Sequence, residues 1–275
     1  MNKYAFKNKL DNLFYYFPYN LIAYNKTIIE SYLTKSLRIE LEKNKNIKNV
    51  YKNKRCFIIG NGPSIKKQDL SHLRDEYTFV TNNFILHEHV SIINPNFYCI
   101  VDPNMYNGKF PIERLFKIDE ILPETTLFFR FKSKEYVEKN NLFKGKNIHY
   151  LYNSAYLNEN YFHDIRLDRC IPAAVNVVLT CIMIAAYMGF SEIYLIGCDA
   201  TLFIPTPDHF YATTKEEKAS RESLEEKLFY SSYMFRSYRI LKEYYEKKGI
   251  RIINATEGGV LEVFQREKYE NIIGV

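Results

Sequence analysis

Four short polar segments each follow an apolar run in this 275-residue chain: Gly60-Asn61-Gly62-Pro63-Ser64, Thr81-Asn82-Asn83, Asp102-Pro103-Asn104 and Gly197-Cys198-Asp199. Their residue types suit a small polar ligand. An Asn amide both donates and accepts, so Asn61, Asn82 and Asn83 could pair with a base or sugar edge. Gly60 and Gly62 allow a sharp turn and close approach of backbone to ligand, with the Ser64 hydroxyl nearby. Each residue also has a purely structural reading, because Asn, Asp and Ser form turns and cap helices. The glycine segment lacks the Lys-Ser/Thr pair of a P-loop and the third glycine of a dinucleotide fingerprint, so a nucleoside contact is expected there. The phosphate is expected at the start of a helix beginning near Pro172, where the amides of residues 172–176 could face an anion and Asn176 could add a side chain. Thr256 and Gly258, in Asn254-Ala255-Thr256-Glu257-Gly258-Gly259, are candidates for the ribose side, although a plain turn fits that loop nearly as well. His72, His87, His89 and His149 read as structural, and no third ligand accompanies the His87-x-His89 pair, so no metal site is expected.

These segments matter together only if one architecture brings them to one place. Apolar runs at 55–60, 77–81, 97–101, 126–130, 147–151, 193–197 and 250–254 are rich in Val, Ile, Phe and Tyr, as strands buried on both faces are. Between them, Pro172 to Met188 and Ser220 to Lys248 read as helices, the second acidic at its start and Lys-rich at its end. Strand and helix in alternation predict an α/β fold: a single Rossmann-like domain with a mainly parallel sheet. Ligands of such sheets bind beyond the carboxyl ends of the strands, which is where the polar segments fall.

The net charge of +6 is unevenly distributed. Residues 1–55 hold 12 Lys and Arg against 4 Asp and Glu, while the remainder holds 26 against 28. Residues 1–50 are therefore expected to form a basic helical appendage and linker, and residues 51–275 the catalytic domain. Tyr4, Phe6, Leu10, Leu13, Phe14 and Phe17 recur at helical spacing until Pro18; a second helical pattern runs from Thr27 to Lys43, and KNKNIKNVYKNK reads as the linker. Such helices could pack on the main domain or on another subunit as a homo-oligomer contact, or lie on an anionic membrane surface. No base-reading module follows, which argues against nucleic acid. Five cysteines without C-x-x-C spacing point to neither disulfides nor zinc and fit a reducing cytoplasm. The longest apolar stretch, 175–190, is too short to span a bilayer, and the N-terminal residues carry no signal-peptide core, so a cytoplasmic protein is expected, with peripheral contact on the inner face of the cell membrane as the membrane option.

The run CFIIGNGPSIKKQDLSHLRDEYTFVTNNF, followed by AAYMGFSEIYLIGCD, resembles the bacterial sialyltransferases that use CMP-sialic acid, and the broader MptE-like family that includes the flagellin-glycosylating motility accessory factors. The closing IINATEGGVLEVF is similar to the last segment of that broader family. The resemblance implies a variant GT-A type Rossmann fold and inverting, metal-independent transfer. It further implies cytidine held by Asn-bearing strand ends, phosphate held by a helix start and tyrosines, and a His as base. By position, Asn61 and Asn82 match nucleotide-contacting Asn residues. Asp102 replaces an Asn before Pro, which bears on the cytidine preference. Ile-Pro-Ala-Ala-Val replaces Thr-Ser-Gly at the helix start, leaving backbone contacts alone for the phosphate, and Ser232 falls where the base is expected. Asp208-His209-Phe210-Tyr211 resembles a His-Phe pair of the broader family, which implies His209 as a substitute: it could accept the acceptor's proton when neutral or hold a phosphate when charged, with Tyr211 donating to the leaving oxygen. His209, Tyr211 and Asp199 are the candidate catalytic residues.

The expected function is thus a glycosyltransferase of bacterial surface polysaccharide, capsule or lipopolysaccharide. It would have no tightly bound cofactor, a CMP-linked sialic acid-like nucleotide sugar as donor and a glycan as acceptor. An MptE-like pyrophosphokinase using ATP and Mg²⁺, with Asp102 and Asp199 on the metal, is the alternative. A non-catalytic nucleotide-binding subunit is a third.

Overall fold

A computed structural model of the chain describes residues 34–157, 164–205, 207, 209–212 and 223–275, together with Pro18 and Leu21. The aromatic–basic helix expected before Pro18, residues 27–33 of the second helical pattern, and Asp208 lie outside the described residues. All seven expected strands are present within one residue of their expected limits: β1 (Arg55–Ile59), β2 (Thr78–Thr81), β3 (Phe97–Ile100), β4 (Thr126–Arg130), β5 (Ile148–Leu151), β8 (Glu192–Ile196) and β9 (Arg251–Asn254). With the two-residue β10 (Gln265–Arg266) they form one sheet in the order β10-β9-β8-β1-β2-β3-β4-β5, every described pairing parallel. The segment VLEVF is irregular, and only the Gln265–Arg266 pair that follows it joins β9. Two short strands, β6 (Asn153–Tyr156) and β7 (Ile171–Ala173), pair separately with each other.

Continuous apolar strands need cover on both faces, and they have it. Helices α2 (Val90–Ile93), α3 (Pro103–Tyr106), α4 (Ile112–Ile121) and α5 (Lys134–Lys139) fall between β2 and β5 in the chain. Along β1, Cys56 and Ile58 enter one core with the helices α6 (Val177–Met188) and α7 (Leu224–Glu246), while Phe57 and Ile59 enter the opposite core. Helix α6 is apolar on nearly every side and almost wholly buried. It ends at Gly189, whose φ of +97° lets the chain turn back. Helix α7 begins later than Ser220, at a capping box in which the Ser223 hydroxyl and the Glu226 carboxylate satisfy each other's backbone amides.

The expected linker is part of the domain. Helix α1 (Lys35–Lys43) buries Leu37 and Leu41, and the turn after it sends Asn44 into the protein, where Nδ2 donates to the carbonyls of Tyr150 (2.9 Å) and Leu167 (2.8 Å). Glu40 accepts from Lys134 and Lys43 at 2.7 and 2.8 Å; burial raises its pKa, but these two ammonium groups outweigh that and hold it below the ordinary carboxylate value. All five cysteines are buried, and no disulfide joins them. No helix among the described residues is long and apolar enough to cross a membrane.

Candidate functional site

Strand β1 lies between β2 and β8, so the chain leaves the sheet centre in opposite directions on its two sides. Such a reversal opens a crevice at the carboxyl ends, because the loops there diverge. A cleft of about 380 Å³ occupies that place. Its walls include Gly60, Asn61 and Gly62 after β1, Asn82 after β2, Asp102 after β3 and Asp199 after β8. Asn176, His209, Arg130, Met234 and Tyr238 complete it from β4, α6, α7 and the loop between them. Eight expected site residues therefore meet in one cleft. Ser64, Asn83, Tyr211, Thr256 and Gly258 do not line it.

The β1–β8 side is closed on itself. The amides of Gly60 and Gly62 donate to the carbonyls of Ile196 (2.8 Å) and Gly197 (2.9 Å). A Cβ at Gly60 would stand 2.4 Å from the Gly197 carbonyl oxygen, and one at Gly62 would stand 1.8 Å from Asp199 Oδ2. The close approach that these glycines permit is thus to the neighbouring loop, not to a ligand alone. The Ser64 hydroxyl donates to Asp199 Oδ2 at 2.7 Å, and the Ser64 amide lies 3.3 Å from Oδ1. Burial pushes the Asp199 carboxyl up, and the Ser64 contacts only partly oppose it. The Cys198 amide donates to Thr256 Oγ1 (3.0 Å), so that hydroxyl ties β9 to β8 and is not offered to a ribose. Gly258 faces a second depression with Gln68 and Arg266, where its carbonyl accepts from the guanidinium.

The β1–β2 side differs. Asn61 Nδ2 donates to the Thr81 carbonyl (2.9 Å), which fixes the amide orientation because a carbonyl can only accept. Asn61 Oδ1 is then buried without a partner, and so is Asn82 Oδ1. Asn82 sits at φ +44°, a conformation that Asn tolerates, and its carbonyl is held by the buried Tyr98 hydroxyl at 2.7 Å. At β4, Arg130 Nε is buried with no acceptor.

His209 arrives on a loop anchored by Phe210, whose amide donates to the Asn61 carbonyl (3.0 Å) and whose ring packs near Phe84 and His87. The Tyr211 ring stacks on His209 with centroids 4.9 Å apart at 13°. Asn83 Nδ2 donates to the Tyr211 hydroxyl (2.8 Å), and Asn83 Oδ1 accepts from Arg114 Nη1 (2.6 Å). Asn83 and Tyr211, expected on the nucleotide and the leaving oxygen, instead brace the histidine from behind.

The helix start is also displaced. Pro172 belongs to β7, and α6 begins at Val177 with Asn176 as its cap: Oδ1 accepts from the Leu179 amide (2.9 Å) and Nδ2 donates to the Tyr238 hydroxyl (3.0 Å). The Asn176 side chain is engaged, which leaves the Val177 and Val178 amides as the first-turn donors without intrahelical acceptors. Asp102 caps its own turn, accepting from the Asn104 amide at 2.8 Å. Ser232 is exposed on α7 and does not line the cleft; Met234 and Tyr238 hold that wall. Arg130 was missed by sequence reasoning, although a charged residue closing the apolar run TLFFR obeys the same strand-end rule that singled out Asn82.

The MAf glycosyltransferase from Magnetospirillum magneticum AMB-1 is a similar solved structure, at 18% identity and a TM-score of 0.49. The similarity covers 84% of this chain and 38% of that one, so the chain spans well under half of that protein's length. No curated protein matches. The family described as 6-hydroxymethylpterin diphosphokinase MptE-like matches residues 31–202. That match takes in β1 to β8 and most of the cleft, and on it the chain belongs to the MptE-like family.

Proposed function

We propose that this chain is an inverting, metal-independent glycosyltransferase that takes a CMP-activated, sialic acid-like sugar to a glycan acceptor in bacterial surface polysaccharide synthesis. The observation that carries the reading is the pair of buried, unpartnered acceptors, Asn61 Oδ1 and Asn82 Oδ1, on adjacent strand ends of one cleft. A buried acceptor without a donor costs about 1–3 kcal/mol, a cost that a ligand's amino or hydroxyl hydrogen removes. The exocyclic amino group of a base and the hydroxyls of a ribose are such donors.

In the reaction, an acceptor hydroxyl attacks the anomeric carbon from the face opposite the phosphate. The new carbon–oxygen bond forms as the bond to the phosphate oxygen breaks; the electron pair leaves with CMP and the hydroxyl proton passes to His209. Tyr211, braced by Asn83 and Arg114, keeps the imidazole at the cleft. The Val177 and Val178 amides offer the phosphate backbone donors. Peripheral membrane contact and homo-oligomerisation through the basic N-terminal region belong to the same proposal.

The residues fit a Mg²⁺-dependent pyrophosphokinase less well. Asp199 accepts from Ser64 through both oxygens, and Asp102 Oδ1 is taken by its own turn. A metal carboxylate must be ionised with lone pairs to give.

Thermal-shift titration with CMP, CDP, UDP, GDP and ATP, each with and without Mg²⁺, tests the reading. CMP should stabilise the protein equally in both conditions. Stabilisation by ATP only with Mg²⁺ would turn it into a pyrophosphokinase, and no response to any nucleotide would leave a non-catalytic subunit. His209→Ala should slow transfer on the order of 10²-fold while CMP affinity holds; equal loss of both would make His209 a phosphate ligand.

A further inference from the structure

Strand β4 buries Leu127, Phe128 and Phe129 and then ends on Arg130 at the cleft. A guanidinium cannot lose its proton, so a buried N–H there must find an acceptor or remain a cost. Four other arginines of the domain have theirs. Arg55 pairs with Glu76, Arg166 with Asp168 at 2.6 Å, Arg251 with Glu192 at 2.7 Å, and Arg266 holds the carbonyls of Thr256 and Gly258. Arg130 Nε has no acceptor, and no carboxylate pairs with Arg130 among the described residues.

We infer that Arg130 reads a single oxyanion of the donor, either the phosphodiester of a nucleoside monophosphate sugar or the carboxylate of its acidic sugar. This rests on the nucleotide-sugar reading above. A planar guanidinium matches one carboxylate or phosphate in a two-pronged hydrogen bond. Among the described cleft residues it is also the one permanent cation, set against the carboxylates of Asp102 and Asp199. If the phosphate is the group bound, departure of the sugar converts a phosphodiester into a monoester, and Arg130 faces the added charge as it develops.

The test is calorimetric titration of the full chain, wild type against Arg130→Gln and Arg130→Lys, with cytidine, CMP, CMP-sialic acid and inorganic phosphate. For a phosphate contact, wild type binds CMP about tenfold or more tightly than cytidine, and R130Q erases that difference while cytidine affinity stays. For a carboxylate contact, R130Q binds CMP normally and loses about tenfold on CMP-sialic acid alone. R130K should retain part of whichever affinity R130Q loses, and an unchanged melting temperature in R130Q assigns the loss to binding. A variant R130Q that binds every probe as wild type does overturns the inference. Wild type that ignores cytidine and its nucleotides yet binds phosphate through Arg130 would sink the nucleotide reading while keeping the anion contact. Absence of binding to all four probes would overturn both.

Discussion

The two sides of the cleft use the same residue types for opposite ends. On the β1–β8 side, Ser64 bonds Asp199 and Thr256 bonds the Cys198 amide across loops that only glycine lets come so close. On the β1–β2–β4 side, Asn61, Asn82 and Arg130 each keep a buried polar atom with no partner. The satisfied side joins the halves of the sheet; the unsatisfied side is where binding free energy remains to be gained. Polar character at a strand end therefore marks the rim, and hydrogen-bond accounting separates its structural residues from its ligand residues.

That contrast can be broken by substitutions on each side. Gly62→Ala should have the largest effect, because its Cβ would collide with Asp199 Oδ2 and force the loops apart. A loss of about 3 kcal/mol, or about 6–12 °C in Tm, is expected for overpacking at such a point; a Tm within a degree of wild type would show that the loops yield easily. Asn61→Ala on the other side should weaken CMP binding about tenfold with a stability change of about 1 kcal/mol or less. Unchanged CMP affinity, measured by titration, would mean that the unpartnered oxygen is not a ligand contact. Asp199→Asn sharpens the contrast through pH. A carboxyl whose folded pKa lies above its unfolded value binds its proton more tightly when folded, so stability is lost as pH rises from the ordinary aspartate range through the raised value. The stability difference between D199N and wild type in urea should therefore shift in favour of the variant across that interval, and a pH-independent difference would remove the burial effect. The smallest change is expected of Ser232→Ala, which should leave activity intact and stability within about 0.5 kcal/mol, since the residue is exposed outside the cleft. Substantial loss of transfer would return α7 to the catalytic apparatus.

The strands were legible because a doubly covered parallel sheet leaves runs such as CFII and IYLI with almost no polar interruption. The strand-end rule then located the cleft. The start of α6 was legible too, though not from Pro172: Asn176 directly before VVLTCIMIAAYM is the better cap signal. What could not be read was which polar atoms the fold itself consumes. Asn83 meets Tyr211 across 128 positions and Thr256 meets Cys198 across 58, and no local pattern encodes either contact. Arg130 was readable as a strand residue and only the packed sheet reveals that its charge stands unpaired at the rim.

The Asn44 side chain has a further consequence at the opposite margin of the sheet. Strand β5 is the last in the order, and the Tyr150 carbonyl that Asn44 caps is among those with no neighbouring strand to bind. A side-chain amide there does the work of a missing strand, and Leu37 and Leu41 of the preceding helix are buried in the same segment. Cutting the chain after residue 50 would bare a template for edge-to-edge association, so self-assembly of such a fragment would report an uncovered margin and not a native subunit contact. A cut ahead of Thr34 keeps that guard in place.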